Sequence, residues 1–303
     1  MRKTFSLALV AGLFISACGG TGTPLPIATV IPSPTHELAE AVPTLLTEID
    51  LETQTGTSYS LAWSPDGETL AVASGGEITL LSRDIKATRA VLKPEGGALG
   101  VTWRPDGQQF ATVNGFRNQT IRLWDWDSAS NELRRAQEIQ AGVDQYGVSW
   151  SPDGTTLASL AGDSKSIIQT WDTNTWEEIS KYDLPYTHPR RTLNWNADNS
   201  TVYGAGESSG EVVVFGLHVT DGSVDEMAKF SIADIEVFAI SPGAEKLAVA
   251  GAHLAQIMDT ASGAILMAFK SVDQPVDLAW NPDGMTVAIL DYKTKLQLWD
   301  VSD

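Results

Sequence analysis

The hydrophobic positions of this chain fall into short alternating runs, which predict β-strands. In the run 59–63, Leu61 and Trp63 lie on one face of a half-buried strand. A second apolar run such as 69–74 and a third such as 78–81 follow after short polar turns, and a fourth, weaker run ends most units. The pattern therefore predicts units of four short strands, without a helical segment between units.

One turn phrase recurs between the first and second runs, at intervals of 40 to 47 residues. Its clear copies are Trp63–Gly67, Trp103–Gly107, Trp150–Gly154 and Trp280–Gly284, and its fainter copies are Trp195–Asn199 and Ile240–Ala244. The Pro-Asp-Gly part suits a tight turn, because Pro presets its φ angle, Asp bonds to nearby backbone and Gly accepts a positive φ. A period of this length is typical of repeat architectures, and the copies predict six units.

Half of the units end their third run with a Trp-Asp pair. The pairs are Trp124-Asp125, Trp171-Asp172 and Trp299-Asp300, and the other units carry Leu81-Ser82, Phe215-Gly216 and Met258-Asp259 at this place. Together with the Pro-Asp-Gly turns, the pairs resemble the WD-repeat (WD40) β-propeller family over roughly residues 44–303. The resemblance implies an all-β fold, a six-bladed β-propeller of four-stranded antiparallel blades.

Three points of the resemblance stay open. The family often carries a Gly-His pair before the first strand of a unit, and no unit here has one. We therefore expect the hydrogen-bonded tetrad built on that His to be absent or altered. TolB-like propellers, which share the Pro-Asp-Gly turns without Trp-Asp, are the alternative family. Seven blades are commoner than six in the WD-repeat family, so a degenerate seventh unit is the alternative count.

The two ends of the repeat region complement each other. The last unit has no fourth run, whereas an isolated apolar run at 45–51 precedes the first unit. We expect this N-terminal strand to complete the sixth blade and close the ring, which would protect the terminal sheet edges from pairing with other chains.

The residues before the repeats predict export and lipid anchoring. Arg2 and Lys3 precede a short apolar core at 7–15, and the segment that ends at Cys18 resembles the lipobox of bacterial lipoproteins. We therefore expect a signal peptide at 1–17 and lipidation of Cys18, against the alternative of an incidental thiol. This places the protein in the cell envelope, extracytoplasmic and lipid-anchored to a membrane whose identity the sequence leaves open.

Residues 18–43 are rich in Pro, Thr and Gly and show no repeat pattern. Such a composition cannot bury enough apolar surface to fold, and Pro keeps it extended. We expect a tether between the lipid and the propeller at 44–303. The alternative is a leader without a spacing task.

The net charge narrows the classes of partner, and the cysteine content excludes an internal disulfide. The formal net charge is −18, and it becomes −20 without Arg2 and Lys3. A chain this acidic is a poor candidate for binding nucleic acid or anionic lipid surfaces through charge. Because Cys18 is the one cysteine, no internal disulfide can form. We expect a monomer whose partner is a protein or peptide.

The sequence offers few groups for catalysis. Its four His residues have no metal-ligand spacing, and it contains neither a Gly-x-Ser-x-Gly elbow nor a P-loop. We therefore expect no enzyme activity, no metal and no cofactor. The alternative from another functional class is a hydrolase or lyase that acts on a sugar or ester with channel carboxylates from several blades.

A candidate binding surface follows from the resemblance. In WD-repeat propellers the face formed by the fourth-to-first and second-to-third strand loops commonly receives partners. The residues four places before each key Trp fall at that rim: Tyr59, Leu99, Tyr146, Arg191, Glu236 and Val276. Since Tyr and Arg are favoured interface anchors, the partner-binding candidates are Tyr59, Phe116, Arg117, Tyr146, His188, Arg190 and Arg191.

Several interpretations of these residues stay open. The first is an extracytoplasmic binding scaffold. A separate one, which the TolB-like resemblance suggests, is a periplasmic component of an assembly or transport machine. Against the first stands the interpretation that Arg190 and Arg191 merely neutralise neighbouring carboxylates.

Overall fold

A computed structural model describes residues 43–51, 58–74, 76–114, 119–162, 165–231, 236–251, 254–260, 262–270 and 272–302. Within these ranges the chain forms strands and turns, and no helix. The strands before residue 141 are β1 (Thr44–Asp50), β2 (Ser58–Trp63), β3 (Thr69–Ser74), β4 (Glu77–Ser82), β5 (Thr88–Leu92), β6 (Gly100–Trp103), β7 (Gln109–Asn114), β8 (Thr120–Asp127) and β9 (Glu132–Gln140).

The next two units occupy the middle of the chain. Their strands are β10 (Gln145–Trp150), β11 (Thr156–Ala161), β12 (Ile167–Asp172), β13 (Glu178–Asp183), β14 (Asn194–Trp195), β15 (Thr201–Ser208), β16 (Glu211–His218) and β17 (Val224–Ser231). The remaining strands are β18 (Val237–Ile240), β19 (Lys246–Gly251), β20 (Leu254–Asp259), β21 (Ile265–Lys270), β22 (Pro275–Trp280), β23 (Thr286–Asp291) and β24 (Lys295–Asp300).

These strands form six antiparallel sheets of four strands each, which confirms the predicted six-bladed β-propeller. Blades 1 to 5 each use four consecutive strands, from β2–β5 to β18–β21. The innermost strands of neighbouring blades contact one another around the ring: β22 with β2, β2 with β6, β6 with β10, β10 with β14 and β18 with β22.

The N-terminal strand closes the ring as predicted. Blade 6 has the strand order β1-β24-β23-β22, so β1 supplies its outermost strand. The antiparallel register pairs Thr44 with Asp300 and Asp50 with Lys295. Beyond the strand, Leu51 N–H donates to the carbonyl of Thr294 at 2.9 Å. The predicted signal peptide and tether, and with them Cys18, lie outside the described residues, as do Phe116 and Arg117.

The core is divided into six apolar clusters, one between each pair of neighbouring blades. The cluster at the closure contains Leu61 and Leu70 of blade 1 and Leu290 and Leu298 of blade 6, with Ile49 of β1 packed against it. Each sheet therefore buries both faces, which explains why strands such as β3 are buried at every position.

All six copies of the turn phrase form the same hydrogen-bonded turn. The N–H of the fifth residue donates to the carbonyl of the second, as from Gly67 to Ser64 at 2.8 Å and from Ala244 to Ser241 at 2.8 Å. The fifth residue has a positive φ in each copy, 70° at Gly67 but also 62° at Asn199 and 61° at Ala244. The faint copies therefore adopt the same backbone although they lack the final Gly.

The tryptophans of the repeat join strands in two ways. Trp103 Nε1 donates to the carbonyl of Ala62 in the preceding blade at 3.1 Å, and Trp280 Nε1 donates to the carbonyl of Ala239 at 3.1 Å. The Trp of a Trp-Asp pair instead donates within its blade, as from Trp124 Nε1 to Thr112 Oγ1 at 2.9 Å. The first set of bonds links blades. In the second set Trp124 and Trp171 link neighbouring strands, whereas Trp299 Nε1 donates to Gln297 Oε1 of its own strand at 3.0 Å.

Candidate partner-binding face

The ring has two ends with different connections. Because the strands alternate in direction, the Pro-Asp-Gly turns lie at one end, here called the turn face. The fourth-to-first and second-to-third connections lie at the other end, here called the loop face. Tyr59, Tyr146 and Arg191 belong to the loop face, as expected from their rim positions, and His188 and Arg190 precede Arg191 in the same connection between β13 and β14.

Arg191 is the centre of a cluster contributed by four blades. Its guanidinium carbon lies 5.1 Å from the centroid of the Tyr59 ring, within the range of a cation–π contact. Arg191, Tyr146 and Tyr292 line a cavity of about 700 Å³ at the loop face. Arg191 also lines the central channel, a cavity of about 390 Å³ bounded by the innermost strands of all six blades. The guanidinium therefore stands where the channel opens.

A glycine allows this placement. Gly147 of β10 lies directly against the backbone of Arg191, and a Cβ atom built at this position would fall 2.1 Å from the carbonyl oxygen of Arg191. A side chain at residue 147 would therefore displace the segment that carries Arg191. The close approach of blades 3 and 4 at the channel mouth depends on this residue.

The other two basic candidates are engaged by a carboxylate. Arg190 Nη2 lies 3.1 Å from Glu207 Oε1, and His188 Nδ1 lies 3.4 Å from Glu207 Oε2. Backbone bonds hold the segment beside β15, since Thr187 pairs with Glu207 and Arg190 N–H donates to the carbonyl of Ala205 at 2.8 Å. For Arg190, neutralisation of a neighbouring carboxylate is thus what the geometry shows.

Asp277, in the innermost strand of blade 6, is a buried carboxylate that the sequence analysis missed. Its Oδ2 accepts from Leu61 N–H and its Oδ1 from Leu278 N–H, both at 2.8 Å. Burial raises the pKa of Asp277 from 3.8 to about 6, although hydrogen bonds from Leu61, Ser60 and Leu278 and the charge of Arg191 oppose this rise. The one sequence signal was an acidic residue in an otherwise apolar run, three places before Trp280.

The alternative function, a hydrolase or lyase, requires channel carboxylates from several blades. Among the described residues that line the channel, Asp277 is the one carboxylate. The described part of the chain also contains no group of three His, Cys, Asp or Glu residues that could hold a metal ion. In the same ranges, no helix is long and apolar enough to span a membrane.

Comparison with known proteins agrees with this geometry. The family described as "WD domain, G-beta repeat" matches residues 89–125, which extend from β5 to β8. Hydrazine synthase of Kuenenia stuttgartiensis has a similar structure at 14% identity, with a TM-score of 0.66, over 83% of this chain and 98% of that chain. The β-propeller domain of Myceliophteria thermophila Cps50 (Swd1) is similar at 12% identity, with a TM-score of 0.64, over 86% of this chain and 100% of that one.

Together these matches support a WD40 β-propeller. No curated protein matches the chain significantly. WD40 propellers are generally scaffolds that bind protein partners, and the fold suggests that role here. The TolB-like alternative stays a prediction.

Proposed function

We propose that this protein is an extracytoplasmic, lipid-anchored WD40 propeller that binds a protein or peptide partner at its loop face. The observation that carries the proposal is the cluster around Arg191. A half-buried guanidinium stands at the channel mouth with Tyr59, Tyr146 and Tyr292 nearby. Arg and Tyr are enriched among the residues that dominate binding energy, and a rigid blade framework holds these in place.

The anchor part of the proposal is supported by the sequence before the propeller. The basic start, the apolar core and the segment ending at Cys18 fit a lipoprotein signal, and the Pro-rich segment after it fits a tether. Two or more acyl chains hold a protein stably at a bilayer, because each buried CH₂ group contributes about 0.8 kcal/mol. A chain of net charge −18 would need such an anchor, since an anionic membrane surface repels it.

Partner capture tests the binding face. The double variant Tyr146→Ala, Arg191→Ala is expected to lose the partners that the wild-type protein recovers from cross-linked native cells, with a nearly unchanged melting temperature. The matched control, Arg134→Ala with Met285→Ala, removes one cation and one exposed apolar side chain away from the loop face. Equal recovery by the wild type and the loop-face variant would reject this placement of the site.

Metabolic labelling tests the anchor. Cells fed a radioactive or clickable fatty acid are expected to label the wild-type protein and to leave Cys18→Ser unlabelled and released from the membrane. A wild-type protein without label, or a Cys18→Ser variant that keeps it, would reject the anchor and leave the proposed binding face untouched.

A further inference from the structure

Arg191 differs from the neighbouring candidates His188 and Arg190 in having no acidic partner among the described residues. Among the described residues, no carboxylate lies at ion-pair distance from its guanidinium, and no protein acceptor takes a hydrogen bond from it. Its direct neighbour Arg190, by contrast, forms an ion pair with Glu207. A guanidinium carries five N–H donors, and those of Arg191 remain accessible to an incoming acceptor at the cavity that it lines.

Two of the three carboxylates nearest the channel mouth are already engaged, and the third, Glu236, lines the same cavity and lies within the field of Arg190. Glu207 is shared by Arg190 and His188. Asp277 receives backbone N–H groups of Leu61 and Leu278 on its two oxygens, so it acts on Arg191 at longer range only. Arg191 therefore has no carboxylate in direct contact among the described residues, although the whole molecule is strongly acidic.

The surroundings of Arg191 fit a planar anion. The Tyr59 ring covers the guanidinium on one side, and Tyr146 and Tyr292 line the same cavity as Arg191. A guanidinium held by a ring in this way presents its N–H edge for two parallel hydrogen bonds, which suit a carboxylate. The cavity of about 700 Å³ lies within the size range of ligand sites.

We propose that the partner is recognised through a peptide carboxylate that binds Arg191 at the channel mouth, with Tyr59, Tyr146 and Tyr292 contacting the residues beside it. This inference rests on the proposed function and names the chemistry of the partner. Both a chain terminus and an Asp or Glu side chain carry the group. The net charge of −18 does not prevent the contact, because physiological salt screens exposed charges beyond about 8 Å.

Three pools of random decapeptides test the proposal on the folded, immobilised protein. The first pool has free C-termini and lacks Asp and Glu. The second has amidated C-termini and contains Asp and Glu, and the third has amidated C-termini and lacks both residues. Retention of each pool is measured by mass spectrometry at physiological salt.

We expect the protein to retain at least one carboxylate-bearing pool tenfold or more above the pool without carboxylates. Preference for the first pool assigns a C-terminal carboxylate, and preference for the second assigns an acidic side chain. Arg191→Met is expected to lower retention to the level of the third pool, and Arg191→Lys to fall between, because Lys keeps the charge without the paired donors. Arg134→Met removes a distant charge and is expected to leave retention unchanged.

Equal retention of all pools, preference for cationic peptides, or full retention by Arg191→Met would overturn the proposal. A thermal melt of each variant separates loss of binding from loss of folding. If partner capture from cells still depends on Tyr146 and Arg191 while the pools show no preference, the binding face stands and the carboxylate chemistry falls. If capture does not depend on them, the proposed function itself fails.

Discussion

The Oδ2 atom of Asp277, in the last blade, accepts a hydrogen bond of 2.8 Å from the backbone N–H of Leu61, in the first blade. The two residues are 216 positions apart in the chain, and they meet because the ring closes between their blades. The bond satisfies an N–H group of an innermost strand, which has no further strand to pair with. The same carboxylate therefore joins the first and last blades and contributes negative charge near Arg191 at the channel mouth.

This contact predicts how stability depends on pH. The pKa of Asp277 is about 6 in the folded protein and near 3.8 in the unfolded chain, so between these values the folded state binds more protons. The free energy of unfolding therefore falls as the pH rises through this range, by roughly 3 kcal/mol for a difference of this size.

Asp277→Asn provides the comparison for that prediction. Denaturant unfolding of both proteins at pH 4.5, 5.5 and 7.0 is expected to show the wild type losing stability relative to the variant as the pH rises. Because the other carboxylates titrate alike in both proteins, their contribution cancels when the two free energies of unfolding are subtracted. A difference that stays constant across the three pH values would show that Asp277 does not titrate in this range.

The tryptophans of the turn phrase provide a matched pair. Trp280 and Trp63 are both 7% exposed. Trp280 Nε1 bonds to the preceding blade, whereas the buried Trp63 Nε1 has no protein partner among the described residues. Both changes to Phe remove similar packing, but only Trp280→Phe removes a hydrogen bond. We expect it to lower the free energy of unfolding by about 1 kcal/mol more than Trp63→Phe, as measured by urea unfolding. An equal or larger loss for Trp63→Phe would refute the role of the bond.

Ala244 has a φ of 61°, where the corresponding residue of the clear turn phrases is Gly. A left-handed conformation is unfavourable for a residue with a Cβ atom, by about 1–2 kcal/mol. Glycine relieves this strain but adds entropy to the unfolded chain, so we expect Ala244→Gly to stabilise the protein by about 0.5–1 kcal/mol. The reverse change in a clear copy, Gly154→Ala, is expected to destabilise it. Chemical denaturation measures both, and loss of stability in Ala244→Gly would contradict the interpretation.

Strand β1 closes the ring, so we expect stability to fall sharply when N-terminal truncation removes it. A chain that starts at residue 43 keeps β1, and one that starts at residue 52 lacks it. Loss of β1 removes the pairing with β24 and the packing of Ile49 and exposes a sheet edge. We expect the shorter chain to melt roughly 10 °C lower and to associate in light scattering. Similar melting temperatures for the two chains would show that closure adds little.

The repeat explains which features were predictable from the sequence. The turn phrases follow local rules, so their spacing predicts the blades, and the isolated run before the first phrase predicts closure. Contacts at the channel mouth follow no such rule. Arg191 meets Tyr59, and Asp277 meets Leu61, only because the ring brings distant blades together. Their partners depend on the exact rotation of each blade about the axis, which no local pattern encodes.

Site-specific photocross-linking tests the central claim, binding at the loop face, most directly. A benzophenone amino acid replaces Tyr292 on the loop face or Met285 on the turn face, positions that are 46% and 51% exposed. Irradiation of cells is expected to give a discrete adduct from position 292, none from position 285, and none from position 292 when Arg191→Met is added. The same adducts from both faces, or an adduct at 292 that persists without Arg191, would contradict the account.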